Sequence, residues 1–203
     1  MRRIIIAAIC LMFAAVLIMP AEAADKLLVD EFDGTTNALG GRTNVYQQAP
    51  SRAMFRKTQM DINGNEENVL MIKYDKRSTD GPYGKGGWCG YYTLLGIGDE
   101  TVDVSDYDTL TMWVKGKDGT EDFKVGLADS HWQQIGDSVK SEAIGNYLPA
   151  GEITTEWQKA EIPLDVYMLD LSDMASIAIN FEADLYGNDD ARGTIYIDEI
   201  AFE

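Results

Sequence analysis

The feature that most limits the fold of this chain is a succession of short, alternating β segments separated by Gly, Asp, Asn and Pro. Over 110–115 and again over 177–182, every second residue is apolar, which gives each segment one core face and one outer face. No stretch has sustained helical periodicity, and only a single helical turn is expected around 165–173. The pattern predicts an all-β, antiparallel β-sandwich, with strands near 26–32, 51–59, 67–76, 87–95, 108–116, 122–129, 140–148, 155–163, 175–182 and 193–202.

The residues between these segments predict how the strands are joined. An Asn-Gly step within 61–65 predicts a tight turn, and the Asp-Gly step within 115–119 predicts a polar hairpin. The segment 34–50 is the longest irregular stretch, and its Gly and Asn content suits a loop that wraps the surface or surrounds an ion.

The first 23 residues are predicted to be a secretory signal peptide. Two arginines precede the apolar run 4–19, and Ala21-Glu22-Ala23 is a small-x-small cleavage site. An uncleaved anchor is the alternative, but the run is shorter than the roughly 20 residues that span a bilayer. We therefore expect a secreted or periplasmic protein without membrane insertion after cleavage, with one domain at 24–203. Cys89 is then its only cysteine, and we expect a buried structural thiol.

The charge of the chain limits its partners. The formal net charge is -17, from 34 acidic and 17 basic residues. Such a surface repels nucleic acids and anionic lipids, so neither is expected as a partner. A divalent cation and a neutral ligand such as a sugar remain compatible with this charge.

Evidence for catalysis is weak. The sole histidine, His131, lies in Asp129-Ser130-His131-Trp132. Adjacent residues of an extended loop point apart, whereas a catalytic triad needs three converging groups. A pair of carboxylates could serve a glycoside hydrolase, but the sequence does not single out a pair among so many acids.

Two acidic residues near the start of the domain predict a metal site. Glu31 and Asp33 are two residues apart in a predicted strand, so both carboxylates leave the same face. Hard oxygen ligands suit calcium, and backbone carbonyls of the following Gly-rich loop could complete the site. Asp198 could close it if the last strand pairs beside the first. The alternative is that these acids are simply solvated at strand ends.

Four segments, at 29–33, 110–116, 157–164 and 193–200, resemble galactose-binding-domain-like jelly rolls. Among these the chain is most similar to carbohydrate-binding modules of the family 11 type, with the complex I intermediate-associated domains also close. The resemblance implies a jelly-roll β-sandwich over nearly the whole domain. It also implies a structural calcium ion, Ca2+, held by Glu31, Asp33 and Asp198.

Sugar-binding members of this superfamily present aromatic rings, which stack on the C-H faces of sugars, beside polar side chains that bind hydroxyls. The matching candidates are Trp88, Tyr91, Tyr92, Trp132 and Tyr147, with Asp129, Gln133 and Asn180. Alternation places Trp88 and Tyr92 on one face with Gly90, and Tyr91 on the other with Cys89. Trp113 and Trp157, inside the matched strands, are predicted to be core residues.

The leading prediction is a secreted, non-catalytic carbohydrate-binding protein that binds a glycan or polysaccharide on one sheet face. The alternative is an envelope-associated β-sandwich module with a structural or protein-interaction role that uses the same face. A glycoside hydrolase is the third hypothesis.

Overall fold

The computed structural model describes residues 26–203 except 63, 79, 82 and 83, and at 80, 81, 84 and 85 it describes the backbone alone. The predicted signal peptide at 1–23 and the predicted start of the domain at 24 lie outside these residues. The strands are β1 (Leu27–Asp30), β2 (Thr43–Gln47), β3 (Arg52–Ile62), β4 (Asn65–Lys76), β5 (Asp80–Gly81), β6 (Gly84–Lys85), β7 (Cys89–Leu94), β8 (Thr109–Gly116), β9 (Lys124–Asp129), β10 (Val139–Ala143), β11 (Gln158–Pro163), β12 (Met174–Phe181) and β13 (Ala191–Phe202).

Two antiparallel sheets form the sandwich. Sheet A has six strands in the order β11-β8-β13-β4-β3, with β1 also paired to β13. Sheet B has five strands in the order β10-β9-β12-β7-β2. The short strands β5 and β6 pair only with each other. The predicted antiparallel β-sandwich of jelly-roll type is confirmed, and so is the pairing of the first strand beside the last.

The core lies between the sheets and is filled by the inward side chains that the alternation predicts. Leu110, Met112 and Val114 of β8 are each at most 1% exposed. From sheet B, Ile177 and Ile179 of β12 are equally buried. Burial of such apolar surface is worth about 25 cal/mol per Å², so this layer is the main source of stability.

Three local predictions are wrong. Strand β2 forms inside the segment 34–50 that was expected to be a loop, and the chain turns into 3-10 helix at Ile144–Tyr147 within a predicted strand. The expectation of a single helical turn is also wrong, because two short α-helices form elsewhere. Helix α1 (Ser130–Ile135) follows β9, and helix α2 (Ala183–Tyr186) follows β12. The expected helical turn near 165–173 is present as two 3-10 turns, Leu164–Tyr167 and Leu171–Asp173.

The Asp-Gly step after β8 does not make a hairpin, because β8 belongs to sheet A and β9 to sheet B. The crossing loop is held by Glu121, which is 4% exposed. Its carboxylate accepts hydrogen bonds from four successive backbone N-H groups, those of 117–120, at 2.8–3.1 Å. Burial alone would raise the pKa of Glu121, but backbone N-H donors, including those of Asp118, Gly119 and Thr120, outweigh it and lower the pKa.

Trp113 and Trp157 are not core residues, contrary to the prediction. Trp113 alternates with the buried Met112 and Val114, so its ring lies on the outer face of sheet A and is only partly buried. Trp157 precedes β11 and is also partly buried. The resemblance located their strands, but a strand that passes through a core has only every second side chain in it.

Within the described part of 26–203, no helix is both long enough and apolar enough to cross a membrane.

Candidate functional site

The outer face of sheet B has a floor of small, buried side chains. Ser176, Ala178 and Asn180 of β12 point away from the core, since they alternate with Ile177 and Ile179. They are nevertheless only 7%, 8% and 2% exposed. Larger groups therefore stand around them, and the middle of this face is recessed.

Strand register explains the recess. Ala178 pairs with Tyr92 of β7 on one side and with Gly126 of β9 on the other. Asn180 likewise lies between Gly90 and Lys124. Because directly paired residues share a face, the centre of the sheet carries glycine and alanine while larger side chains lie at its margins.

Aromatic rings form one margin. Trp88, just before β7, is 39% exposed, which is high for an indole in a folded domain. Its ring centroid lies 5.8 Å from that of Tyr46 on β2, with the two planes tilted by 40°. Tyr92, two residues beyond Gly90 on the same face, is partly buried. These three rings offer the flat apolar surface that stacks on the C-H face of a sugar.

Tyr46 is fixed in place by Gly90 and Asn180. A Cβ atom at Gly90 would lie 2.4 Å from the Tyr46 hydroxyl oxygen and 2.2 Å from the Ile179 carbonyl oxygen, so only glycine lets this ring cross the strand. The Tyr46 hydroxyl donates to Asn180 Oδ1, and Asn180 Nδ2 donates to the Lys124 carbonyl at 3.3 Å. Burial and, secondarily, the Glu182 carboxylate raise the pKa of Tyr46 well above its ordinary value, so the phenol stays a neutral donor.

Charged side chains form the opposite margin. Lys140 of β10 lies 2.8 Å from Asp137 and 3.7 Å from Glu182. Lys124 pairs with Asp184 at 2.6 Å. Both lysines point outward, beside Gly126 and Asn180. This margin supplies hydrogen-bond donors and acceptors in nearly balanced charge, which suits the hydroxyl groups of an uncharged ligand.

Helix α1 closes one end of the face. It begins at the cap residue Asp129, whose Oδ1 accepts from the Trp132 N-H at 3.0 Å. Gln133 Oε1 accepts from the Ser176 hydroxyl at 2.8 Å, which holds the helix over the floor. Trp132 is half-buried in this helix. Trp88 and α1 are thus at opposite ends of the recess, roughly 20 Å apart along β7 at about 3.3 Å per residue.

The structure groups five of the predicted ligand residues at this face: Trp88, Tyr92, Trp132, Gln133 and Asn180. Asp129 is 9% exposed, and its role here is to cap α1. Tyr91 is wrong as a ligand platform, because it is 1% exposed and its ring packs edge-on against Phe55 at 5.3 Å. The structure does not place Tyr147 on this face either, since it lies in the 3-10 turn after β10 and packs against the core.

Tyr46 is the residue that the sequence reasoning missed. It lies in the segment that was predicted to be a loop. The alternation of Thr43-Asn44-Val45-Tyr46-Gln47 is the signal that could have located it, since Asn44 and Tyr46 share the outer face of a strand.

The Asp-Ser-His run does not form a catalytic triad. Asp129 caps α1, the Ser130 hydroxyl donates to Asp173 and the exposed His131 ring lies beside Trp132. Cys89 is buried as expected, and burial raises the pKa of its thiol to about 11. Neither the Asp-Ser-His run nor Cys89 thus has the converging nucleophile and base of covalent catalysis.

A separate acidic cluster lies where β1 approaches β13. Strand β1 ends at Asp30, and Phe32 takes a positive φ of 62°, so Glu31 and Asp33 are not alternate residues of one strand as predicted. Burial, followed by Glu199, Glu67 and Asp33, raises the pKa of Asp198 to about 6. Carboxylates that repel one another in this way would be stabilised by a cation.

The geometry of this cluster fits calcium only in part. Among the residues described, no three Asp, Glu, His or Cys side chains converge on a possible metal position. Asp33 accepts from Asn68 Nδ2 at 2.7 Å, and Glu31 is exposed. Asp30 is 2% exposed, and its Oδ2 has no hydrogen-bond partner among the described residues. The donor chemistry suits a hard cation, but backbone carbonyls would have to complete the ligand set.

Comparison with known proteins identifies the family of the chain. The profile of the family Carbohydrate binding domain 30 matches residues 29–203. The chain therefore belongs to this family, and it is a carbohydrate-binding module with a β-sandwich fold. A search of curated protein sequences gives no significant match.

Solved structures share the fold at low sequence identity. A family 11 carbohydrate-binding module from Clostridium thermocellum, in complex with a β-1,3-1,4-mixed-linked tetrasaccharide, is 15% identical with a TM-score of 0.60, covering 87% of this chain and 94% of that one. A family 30 module of the Clostridium thermocellum cellulosomal cellulase Cel9D-Cel44B is 20% identical with a TM-score of 0.60, covering 88% and 96%. An exo-β-agarase matches over 88% of this chain but 25% of its own, with 14% identity and a TM-score of 0.54.

Proposed function

We propose that the outer face of sheet B binds a neutral, β-linked polysaccharide, and that the chain does so without catalysing a reaction. The single observation that carries this proposal is the exposed Trp88 ring, which stands beside Tyr46 above the recessed Gly90 and Asn180. An indole face for stacking and the charged and amide side chains of the opposite margin and of α1 for hydroxyls are the two kinds of contact that a sugar needs.

The shape of the face indicates the size of the ligand. Trp88 and α1 lie at the two ends of this face, roughly 20 Å apart, so the face suits several units of a chain rather than one sugar in a closed pocket. The tetrasaccharide in the family 11 structure makes a mixed-linked β-glucan the first candidate.

Affinity gel electrophoresis with soluble β-1,3-1,4-glucan tests this proposal. We expect retarded migration in the glucan gel, relief by mixed-linked oligosaccharides, and no release of new reducing ends from the glucan. Gels that contain xylan or glucomannan compare other neutral backbones. Migration unaffected by every neutral polysaccharide would contradict the proposal and favour the protein-binding alternative.

We also propose a structural calcium ion between Asp33 and Asp198, with Glu31 or the buried Asp30 as a further ligand. Support comes from the raised pKa of Asp198 and from the unpaired oxygen of Asp30. Lys57 donates to the Gly34 carbonyl and Lys26 pairs with Glu199 in the same region, so two ammonium groups already offset part of the negative charge. Isothermal titration of chelator-treated protein with CaCl2 tests the site by comparing the wild type with Asp198→Asn. Equal binding heats from the two proteins would contradict the proposal.

Export is the last part of the proposed function. Residues 1–23 have the charged start, apolar run and small-x-small site of a signal peptide. N-terminal sequencing of protein recovered from outside the cytoplasm should begin at Ala24. A chain that still begins at Met1 would contradict cleavage.

A further inference from the structure

The outer face of sheet A concentrates positive charge in a strongly acidic chain. Five cationic side chains point outward from its strands: Arg52 and Arg56 on β3, Lys73 on β4, Lys115 on β8 and Arg192 on β13. We call these five residues the basic face. Each alternates with core residues such as Ile72, Val114 and Ile195, which fixes its outward direction.

These cations lack acidic partners. Across the described residues, the ion pairs within 4.0 Å involve Lys26, Arg77, Lys124, Lys140 and Lys159, and none involves a member of the basic face. The chain has 34 acidic residues for 17 basic ones, so pairing would be easy to achieve. Asp75 lies in register between Arg52 and Arg192 but forms its ion pair with Arg77. The other carboxylate among the aromatic side chains, Asp198, is in register with Trp113 and forms no ion pair within the described residues. The basic face therefore presents unneutralised charge to solvent.

Aromatic and thioether side chains are interleaved with these cations. Tyr196 pairs directly with Lys115 on one side and with Met71 on the other, and Met71 pairs with Arg56. Trp113 lies one outward position along β8 from Lys115. Trp157 precedes Gln158, the partner of Val114, so it flanks Lys115 from the sheet edge. At about 4.8 Å between strands, the row from Trp157 to Arg56 spans about 19 Å.

A cleft adjoins the β3 edge of this face. It has a volume of about 550 Å³ and is lined by residues that include Arg52, Met54 and Lys73. Met54, at 57% exposed, is among the most exposed large apolar side chains described. The surface thus continues from the flat aromatic row into a concave corner that is lined by two cations of the basic face and by Asp75.

We propose that this surface is a second carbohydrate site, specific for polysaccharides that carry carboxylate groups, such as uronates. Trp113, Trp157 and Tyr196 would stack on sugar rings while the basic face binds carboxylates. Arginine and lysine form charge-assisted hydrogen bonds to carboxylates, which are stronger than neutral ones. The net charge of the chain does not prevent this, because charges beyond the Debye length of about 8 Å at physiological salt are largely screened.

The arrangement favours a charged sugar chain over an acidic protein. The centres of protein interfaces are depleted of charged residues, and lysine in particular is disfavoured there. Here Lys115 lies between Trp157 and Tyr196, in the middle of the aromatic row. A ligand that carries both a stacking surface and an anion in each repeating unit matches this alternation.

The test uses polygalacturonate and its fully methyl-esterified form, which share a backbone but differ in whether the carboxylates are free and charged or esterified and neutral. The variant Lys73→Gln/Lys115→Gln should weaken binding of polygalacturonate at least fivefold, and added salt should weaken binding by the wild type. The esterified polymer should show no difference between variant and wild type. The matched control, Lys26→Gln/Arg42→Gln, removes the same two charges elsewhere and should change affinity less than twofold.

Two results would overturn the proposal. One is equal weakening by the control pair, which would mean that only net charge matters. The other result has two parts: poly-glutamate binds as tightly as polygalacturonate, and Trp113→Ala keeps the wild-type affinity for polygalacturonate. Together these would assign the surface to acidic polypeptides. Retention by neutral glucan should survive Lys73→Gln/Lys115→Gln, so failure here is distinguishable from failure of the site on sheet B.

Discussion

Replacing Trp88 with alanine should weaken glucan binding by about one to two orders of magnitude. A tryptophan side chain has at most about 250 Å² of surface, so its 39% exposure leaves about 100 Å² for a ligand to cover. At about 25 cal/mol per Å², covering half to all of it contributes about 1.2–2.5 kcal/mol, or roughly 8-fold to 70-fold in Kd.

The same substitution should lower stability modestly. It removes the contact with Tyr46, and a pair of aromatic rings contributes about 0.5–1.5 kcal/mol beyond its buried area. A chain of this size loses about 2–4 °C of Tm for each kcal/mol, so the variant should remain folded at 20 °C, where binding is measured. Trp88→Tyr keeps a stacking ring and should lose less affinity than alanine.

Isothermal titration with mixed-linked glucan oligosaccharides measures this effect. Trp113→Ala is the matched control, because it removes the same side chain from the outer face of the other sheet and should leave glucan affinity unchanged. If Trp88→Ala binds within twofold of the wild type while its melt shows a folded protein, the assignment of Trp88 as the stacking ring is refuted. Equal losses in the two variants would refute the assignment of the site to sheet B.

Three further predictions concern stability and reactivity. Glu121→Gln should destabilise the fold by about 2–4 kcal/mol in urea unfolding, because an amide cannot accept from four backbone donors and loses their charge-assisted bonds. Glu161→Gln, at an exposed position, should change the unfolding free energy little, and an equal loss in both variants would argue against the anchoring role of Glu121. The folded-state pKa of Asp198 is raised to about 6, so its protonated form contributes fully to stability below about pH 4, and this contribution of about 1–2 kcal/mol after solvent screening is lost as the pH rises through 6. Urea unfolding in chelator at pH 4.5 and 7 should show this loss relative to Asp198→Asn, and excess calcium should reverse it. The same pH dependence of the unfolding free energy in both proteins would contradict the prediction. Cys89 is fully buried with a thiol pKa of about 11, so iodoacetamide at pH 8 should label it only in denaturant, whereas rapid labelling of the folded protein would show that the thiol is accessible.

Part of the candidate site could be predicted from local pattern alone. Alternation separates Trp88 and Tyr92 from Tyr91 without any tertiary information, and the buried Cys89 and Tyr91 confirm that division. The remaining aromatics needed the fold. Tyr147 follows β10, but the chain turns there into a 3-10 helix that directs it to the core, and Tyr46 joins the site only because β2 pairs with β7.

The sequence by itself determined that the chain is made of antiparallel strands and which side chains share a face, since both follow from a period of two along each strand. It could not determine to which sheet a strand belongs, because that depends on pairing between residues distant in the chain. For that reason the loop after β8 crosses between sheets instead of closing a hairpin, and Trp113 lies outside the core. Tertiary structure also decided the geometry of the acidic cluster, where the positive φ of Phe32 ends the alternation that would place Glu31 and Asp33 on one face.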